Sequence, residues 1–335
     1  MIYTRYLYDK RAVEFSLFIA LLKRDRDEAL FWTFELYHSG FKTETISLLW
    51  RYYYSLYCPF YINLGNYLFK QTQMWLNNKK NDTIVGTLVE NLVGCEPCID
   101  FYMIYNKMMS PPNILVDVFA KILSFEKKED IDVTVNTFIS ENECFKTRGI
   151  NVLNKTKDIF KNLDFLDINH YKNASMSLLY TGLFLKDRAN KFDPRFYIKL
   201  TDDCVKSYKT KKVVELNGWK VAKRECLYKL KLKPNSRIKS MSDYENWVYY
   251  ASRSPIWKMR IEKYKGTVTQ STHSVSFDDV NNEDAFYNWF NFEPDEQTKT
   301  IQDMWMGEME YDNWEHIYNT YKCEPYNDWV DEINI

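Results

Sequence analysis

The sequence predicts a mainly α-helical protein, an irregular multi-helix array with a small β-hairpin or meander inserted near residues 208–233. Three observations lead there. Only nine glycines and nine prolines occur in 335 residues, too few for an all-β chain that must turn about every eight to twelve residues. Apolar residues recur at helical spacing through most of the chain. One Asn-Gly pair, Asn217-Gly218, stands between two short β-prone runs, the strongest short-range hairpin signal.

At the N-terminus, Ala12, Phe15, Phe18, Ile19 and Leu22 place an amphipathic helix over Asp9–Arg24. Asp25, followed three residues later by Glu28, resembles a capping box, and Gly40 stands where a left-handed residue would end the second helix. That second helix, with Phe31, Trp32, Phe34, Leu36 and Tyr37, has almost no polar face and must be covered on most sides. A third runs from about Thr43 to Tyr57 and stops before Pro59, so the three are expected to form one compact helical unit. From Tyr61 to Arg188, helices follow one another without a fixed repeat, and Pro97 and Pro112 suit first-turn positions.

The basic segment breaks this pattern. Lys206–Lys239 holds twelve lysines and arginines against two glutamates. Pairing Lys211–Leu216 with Trp219–Arg224 across Asn217-Gly218 segregates an apolar face. Leu227–Lys233 then alternates until Pro234, with Lys229, Lys231 and Lys233 on one side. A helix is the competing reading, because Trp219, Ala222, Cys226 and Leu230 also share a helical stripe. After Ser240, helices are expected over Asp243–Arg253 and Pro255–Lys265, then a polar loop through Gly266–Ser276 and short segments starting near Asn282, Pro294 and Asp312. Asp278–Ile335 carries sixteen acids against two lysines, yet its tryptophans set it apart from a solvating tail. The expected organisation is a helical array over 1–200, a basic meander over 201–240 and an acidic, Trp-rich helical region over 241–335.

With 45% apolar and 17% aromatic residues the chain lies outside the composition of disordered proteins. Its longest uninterrupted apolar run, Leu17–Leu22, is far below the roughly 20 residues of a spanning helix. No cleavable leader is expected either, and seven scattered cysteines suit a reducing compartment.

Glycine spacing writes neither a Walker loop nor a dinucleotide-binding turn, since the closest pair, Gly86 and Gly94, is eight residues apart. Cys95-Glu96-Pro97-Cys98 has the spacing of half a zinc site or a thiol-exchange motif. The chain supplies no second pair of ligands at comparable spacing, so buried, inert thiols are expected. His38, His170, His273 and His316 stand more than forty residues apart. No catalytic residue, metal site or cofactor is therefore expected; an enzyme would need a site assembled from distant residues.

One segment carries a mechanism. Lys229, Lys231 and Lys233, about 7 Å apart on one strand face, with Lys212, Lys220, Lys223 and Arg224 nearby, are candidates to neutralise phosphates. Tyr208, Trp219 and Tyr228 are candidate stacking platforms for unpaired bases. Two other readings stand beside this one: a solvated lysine edge that prevents strand aggregation, and docking of the acidic C-terminal region onto the basic segment.

The helical pair within Arg11–Phe41, ending Leu-Phe-Trp-Thr-Phe-Glu-Leu-Tyr-His-Ser-Gly-Phe, resembles a signature in uncharacterised proteins of nucleocytoplasmic large DNA viruses, the giant viruses. Asn291–Gln297 followed by Ile301–Tyr318 is similar to the ends of the same proteins. The resemblance covers about a third of the chain and supplies no catalytic residues. It implies a viral protein of the host cytoplasm or viral factory, or one carried in the virion. The abundance of Asn, Lys, Ile and Tyr is what an AT-rich genome imposes. Expected function is a non-enzymatic scaffold or adaptor that binds viral or host proteins through aromatic helical surfaces and opposed charge blocks, without membrane insertion. The alternative is a nucleic-acid-associated factor of viral transcription, translation or packaging that uses the Lys206–Lys239 block.

Overall fold

A computed structural model describes residues 2–78, 81–142, 146–184, 197–209, 221–222, 246–290, 308–309 and 314–322. The protein is mainly helical with a small antiparallel two-stranded sheet. It divides into two compact units, Met1–Thr45 with Thr201–Ile317, and Ile46–Leu200 with Tyr318–Ile335.

In the first unit, a tight loop bridges Tyr3 to Asp9. Asp9 then caps helix α1 (Lys10–Lys23), its carboxylate accepting from the amides of Arg11 and Ala12. Arg24, left-handed at φ 57°, closes α1, and Asp25 at once caps α2 (Arg26–His38). So short a connection leaves only an antiparallel hairpin. Both helices are buried on nearly every side, over Phe15–Leu22 and Glu28–Tyr37. Glu28 does not complete a capping box. Its carboxylate accepts from the Trp32 indole at 3.1 Å and faces Lys23, while the Asp25 amide bonds to Ala20 instead.

The later part of this unit contains α11 (Asp202–Lys206) with a 3₁₀ turn at Ser207–Lys209, strand β1 (Val221–Ala222), α12 (Trp247–Ala251), α13 (Pro255–Lys263), strands β2 (Gly266–Thr269) and β3 (Ser274–Phe277), α14 (Val280–Trp289) and β4 (Glu308–Met309). Ser254 caps α13, whose first residue is Pro255, where no amide hydrogen is required. An aromatic cluster fills the space between these elements. Trp247 and Trp257 meet edge-on at 5.2 Å, and Phe286 lies 5.0 Å from Phe277 and 5.1 Å from Phe290.

The antiparallel sheet is the β2–β3 ribbon, which pairs Gly266 with Phe277 and Thr269 with Ser274. This corrects the polar loop expected over Gly266–Ser276. Strands of four residues rich in Ser and Thr show too little hydrophobic alternation to be recognised, although β-branched Thr267, Val268 and Thr269 favour extended backbone. Of the meander expected near 208–233, Tyr208 lies in the 3₁₀ turn, and Val221–Ala222 pairs in parallel with β4. The remaining positions, including the strands proposed around Asn217-Gly218 and over Leu227–Lys233, lie outside the described residues, as does the expected boundary at 240/241.

Helix α3 (Lys42–Tyr52) continues into a π-helical turn at Tyr53–Tyr57, and the two units divide within α3, between Thr45 and Ile46. The first three helices therefore do not close into one unit as expected. The second unit proceeds through α4 (Leu64–Asn77), α5 (Asp82–Val93), α6 (Ile99–Tyr105), α7 (Asn113–Ser124), α8 (Lys128–Glu141), α9 (Lys146–Asn162) and α10 (Ile168–Phe184). Pro112 is itself the cap of α7, and Pro97 precedes the Cys98 cap of α6. Both prolines thus stand just outside the first turns predicted for them. Helix α10 is the centre of this unit, packing on α6, α7, α8, α9 and the π turn. Such enclosure explains why its polar Asn173, Ser175, Ser177 and Thr181 are as buried as Leu179. Helix α15 (Trp314–Tyr321) closes the described chain.

Candidate functional site

Of the residues the sequence marks for phosphate binding or stacking, Lys212, Trp219, Lys220, Lys223, Arg224, Tyr228, Lys229, Lys231 and Lys233 lie outside the described residues. Tyr208 is described. Its ring stacks on Phe34 of α2 at 5.5 Å and is 7% exposed, so one ring face serves helix packing.

The root of the basic segment is anchored by a buried polar hub. Arg5 donates from Nε to Glu35 Oε2 at 2.8 Å and from a terminal nitrogen to the Tyr208 carbonyl at 2.7 Å. The other Glu35 oxygen accepts from the Tyr6 amide, and the Arg5 amide donates to Ser39 Oγ. Arg260 donates to the Arg5 carbonyl while its guanidinium lies over the rings of Trp257 and Phe290. Burial lowers the Arg260 guanidinium to about 10, with the Glu35 carboxylate opposing that shift. Glu35 is fully buried, and a carboxylate there is tolerable only because its two oxygens are occupied by the Arg5 guanidinium and the Tyr6 amide. The hub is architecture: Arg5 and Arg260 tie the N-terminal loop to α2 and to the Tyr208 carbonyl.

The two opposed charge blocks meet. Val221 of the basic segment lies opposite Glu308 of the acidic region, and Ala222 opposite Met309, as the parallel β1–β4 pair. The contact is a backbone pairing of two residues from each segment.

In the second unit, a groove of about 540 Å³ opens between the turn after α6, one side of α7 and Met176 of α10. Met108, Met109 and Met176 line it together with Phe119 and Leu123, and Lys107 is the single ionisable residue of its lining. Lys107 occupies the left-handed position after α6, φ 60°, with its amide and that of Met108 bonded back to Ile104 and Met103. Beside the groove, α7 exposes Ile114 and Val116. Across it, Lys172 donates to the Leu123 carbonyl near the end of α7 at 2.9 Å, which fixes α7 against α10. The aromatic helical surfaces expected to face partners are instead interior. Most large side chains exposed among the described residues are aliphatic or methionine, Trp289 excepted.

A serine, a histidine and an aspartate far apart in sequence converge in the same unit. Ser47 Oγ lies 3.2 Å from His170 Nε2, and Asp167 Oδ1 lies 2.7 Å from His170 Nδ1. The order of contacts is that of a nucleophilic triad, but the wiring is different. His170 Nε2 is also 2.9 Å from the carbonyl of Ser47, an acceptor. A proton on that nitrogen would be donated to the carbonyl, and the nitrogen would then have no lone pair with which to activate the hydroxyl. Asp167 is 58% exposed in its side chain and accepts the amides of Asn169 and His170 as the cap of α10. Burial raises its carboxyl, but the hydrogen bonds from the His170 ring and amide outweigh that and hold it below the usual range. The trio fastens the start of α10 to α3. In sequence His170 stands more than forty residues from any other histidine, and no local signal links it to Ser47.

Cys95 and Cys98 are buried, at 2% and 1% exposure. Among the described residues no group of three or more His, Cys, Asp or Glu side chains is placed to hold a metal ion, and no helix is long and apolar enough to cross a membrane. No protein-family model matches the chain, and no curated protein or solved structure matches it.

Proposed function

We propose that this protein is a non-enzymatic helical scaffold or adaptor whose second unit seats an apolar segment of a partner protein in the methionine-lined groove. The groove itself carries this reading. Methionine is unbranched and polarisable, so Met108, Met109 and Met176 can adapt to different apolar side chains, and exposed Ile114 and Val116 extend the apolar surface along α7. Lys107 is the only charge in the lining, which suits a partner helix with an acidic flank. The trio around His170 supports this reading through its contacts, which tie the start of α10 to α3. The resemblance of Arg11–Phe41 to giant-virus proteins motivates placing this activity in a viral factory or virion.

The test is capture of partners from native material with the wild-type chain and with Met108→Glu and Val116→Glu variants. Binding of a defined partner should fall at least about tenfold in each variant, as expected for a charge introduced into a desolvated contact. A partner retained equally by both variants would refute the groove as the docking surface.

A further inference from the structure

We propose that the outer end of the β2–β3 ribbon, with Tyr250 and Arg253 of the neighbouring segment, is a binding site for single-stranded nucleic acid, distinct from both the Lys206–Lys239 block and the groove. Ribbon register sorts its side chains. Gly266, Val268, Val275 and Phe277 share one face, and a Cβ added at Gly266 would lie 2.6 Å from Ile261 of α13, so this face packs inward. The opposite face pairs Thr267 with Ser276 and Thr269 with Ser274. It is a ladder of four hydroxyls, about 7 Å apart along each strand.

At the tip, the rings gather. His273 is exposed, with its ring 4.9 Å from Tyr249 and 6.5 Å from Tyr250. The Arg253 guanidinium, also exposed, lies 5.6 Å from each tyrosine ring. Tyr249 is the buried base of the cluster and donates to Gln270 at 2.7 Å, so the platform is held from below. His273 sits at φ 53°, where glycine would be unstrained.

Arg253 is the exposed cation at the tip, while exposed Lys258, Lys263 and Lys265 lie along α13 and at the base of the ribbon together with exposed Glu262, Asp278 and Asp279. Rings and guanidinium planes stack on unpaired bases, whereas hydroxyls and ammonium groups contact phosphates. A duplex hides its base faces, so the combination selects single strands.

Binding of the full-length chain to a fluorescent oligo-uridine of about 16 nucleotides, the upper range for one such platform, tests this, with oligo-thymidine and a duplex run in parallel. Arg253→Gln and His273→Gly should each weaken binding at least about fivefold, the effect of losing one stacked base. Glycine relieves the backbone at 273, so a loss there is not misfolding. Photo-crosslinks from thiouridine should map to Tyr250 or His273. Unchanged affinity in His273→Gly, crosslinks confined to 206–239, equal affinity for duplex, or no binding at low salt would each overturn the proposal.

Discussion

Glu35 shows how one side chain can organise a unit. It is fully buried, yet its two oxygens take the Arg5 guanidinium and the Tyr6 amide, and Arg5 in turn holds the Tyr208 carbonyl. Removing one partner of such a pair leaves an uncompensated buried charge, a penalty larger than the net worth of the pair. Glu35→Gln should therefore cost about 3–5 kcal/mol, measured by urea unfolding followed through tryptophan fluorescence. A loss below about 1 kcal/mol would mean that Arg5 reaches water in the variant. Nothing near Glu35 in the sequence marks it, because Arg5 is thirty residues away, beyond the whole of α1.

At the scale of elements, junctions matter more than helix interiors. Gly40 follows α2 at φ +95°, and a Cβ there would come within 2.6 Å of the Pro255 side chain. Gly40→Ala should destabilise by about 1–3 kcal/mol through strain and overlap together, checked by thermal melting. Gly40 was legible in the sequence, as was the Asp25 cap, since each signal lies within a few residues of the feature it specifies. The β2–β3 ribbon was not, because its apolar residues Val268, Val275 and Phe277 are too few to show a period of two. The meeting of Ser47 with Asp167 and His170 was equally hidden. Long-range contacts leave no spacing to read, and the groove beside Met108 is defined only once α7 and α10 are packed.

For the whole molecule, the interior chemistry of the second unit sets its response to alkali. Burial pushes the Cys58 thiol up to about 11 and the Tyr105 phenol up to about 12, and raises Tyr53, Tyr54 and Tyr102 as well. These groups are neutral in both states near pH 7. As pH rises past the unfolded values, about 8.5 for Cys and 10 for Tyr, the unfolded chain ionises while the folded one resists. Stability is then lost, by at most about 1.4 kcal/mol per group per pH unit. Urea midpoints should fall from about pH 9 upward, first through Cys58, and tyrosinate absorbance should appear together with unfolding. Tyrosinate that titrates freely near pH 10 in the folded protein would contradict this burial.

Interleaving of the two units along the chain has a consequence for biosynthesis. The α1–α2 hairpin, buried on nearly every side in the folded unit, is made before Ile46–Leu200, but Thr201–Ile317, which completes its unit, is translated only after that stretch. At about 5–20 residues per second, that intervening stretch takes roughly 8–30 s to make. Throughout that interval the hairpin is a nascent, incompletely covered surface of the kind that chaperones hold, while the second unit can fold ahead of it. Cotranslational maturation thus lets the second unit precede the first, and the α1–α2 hairpin is among the last elements to reach its final environment.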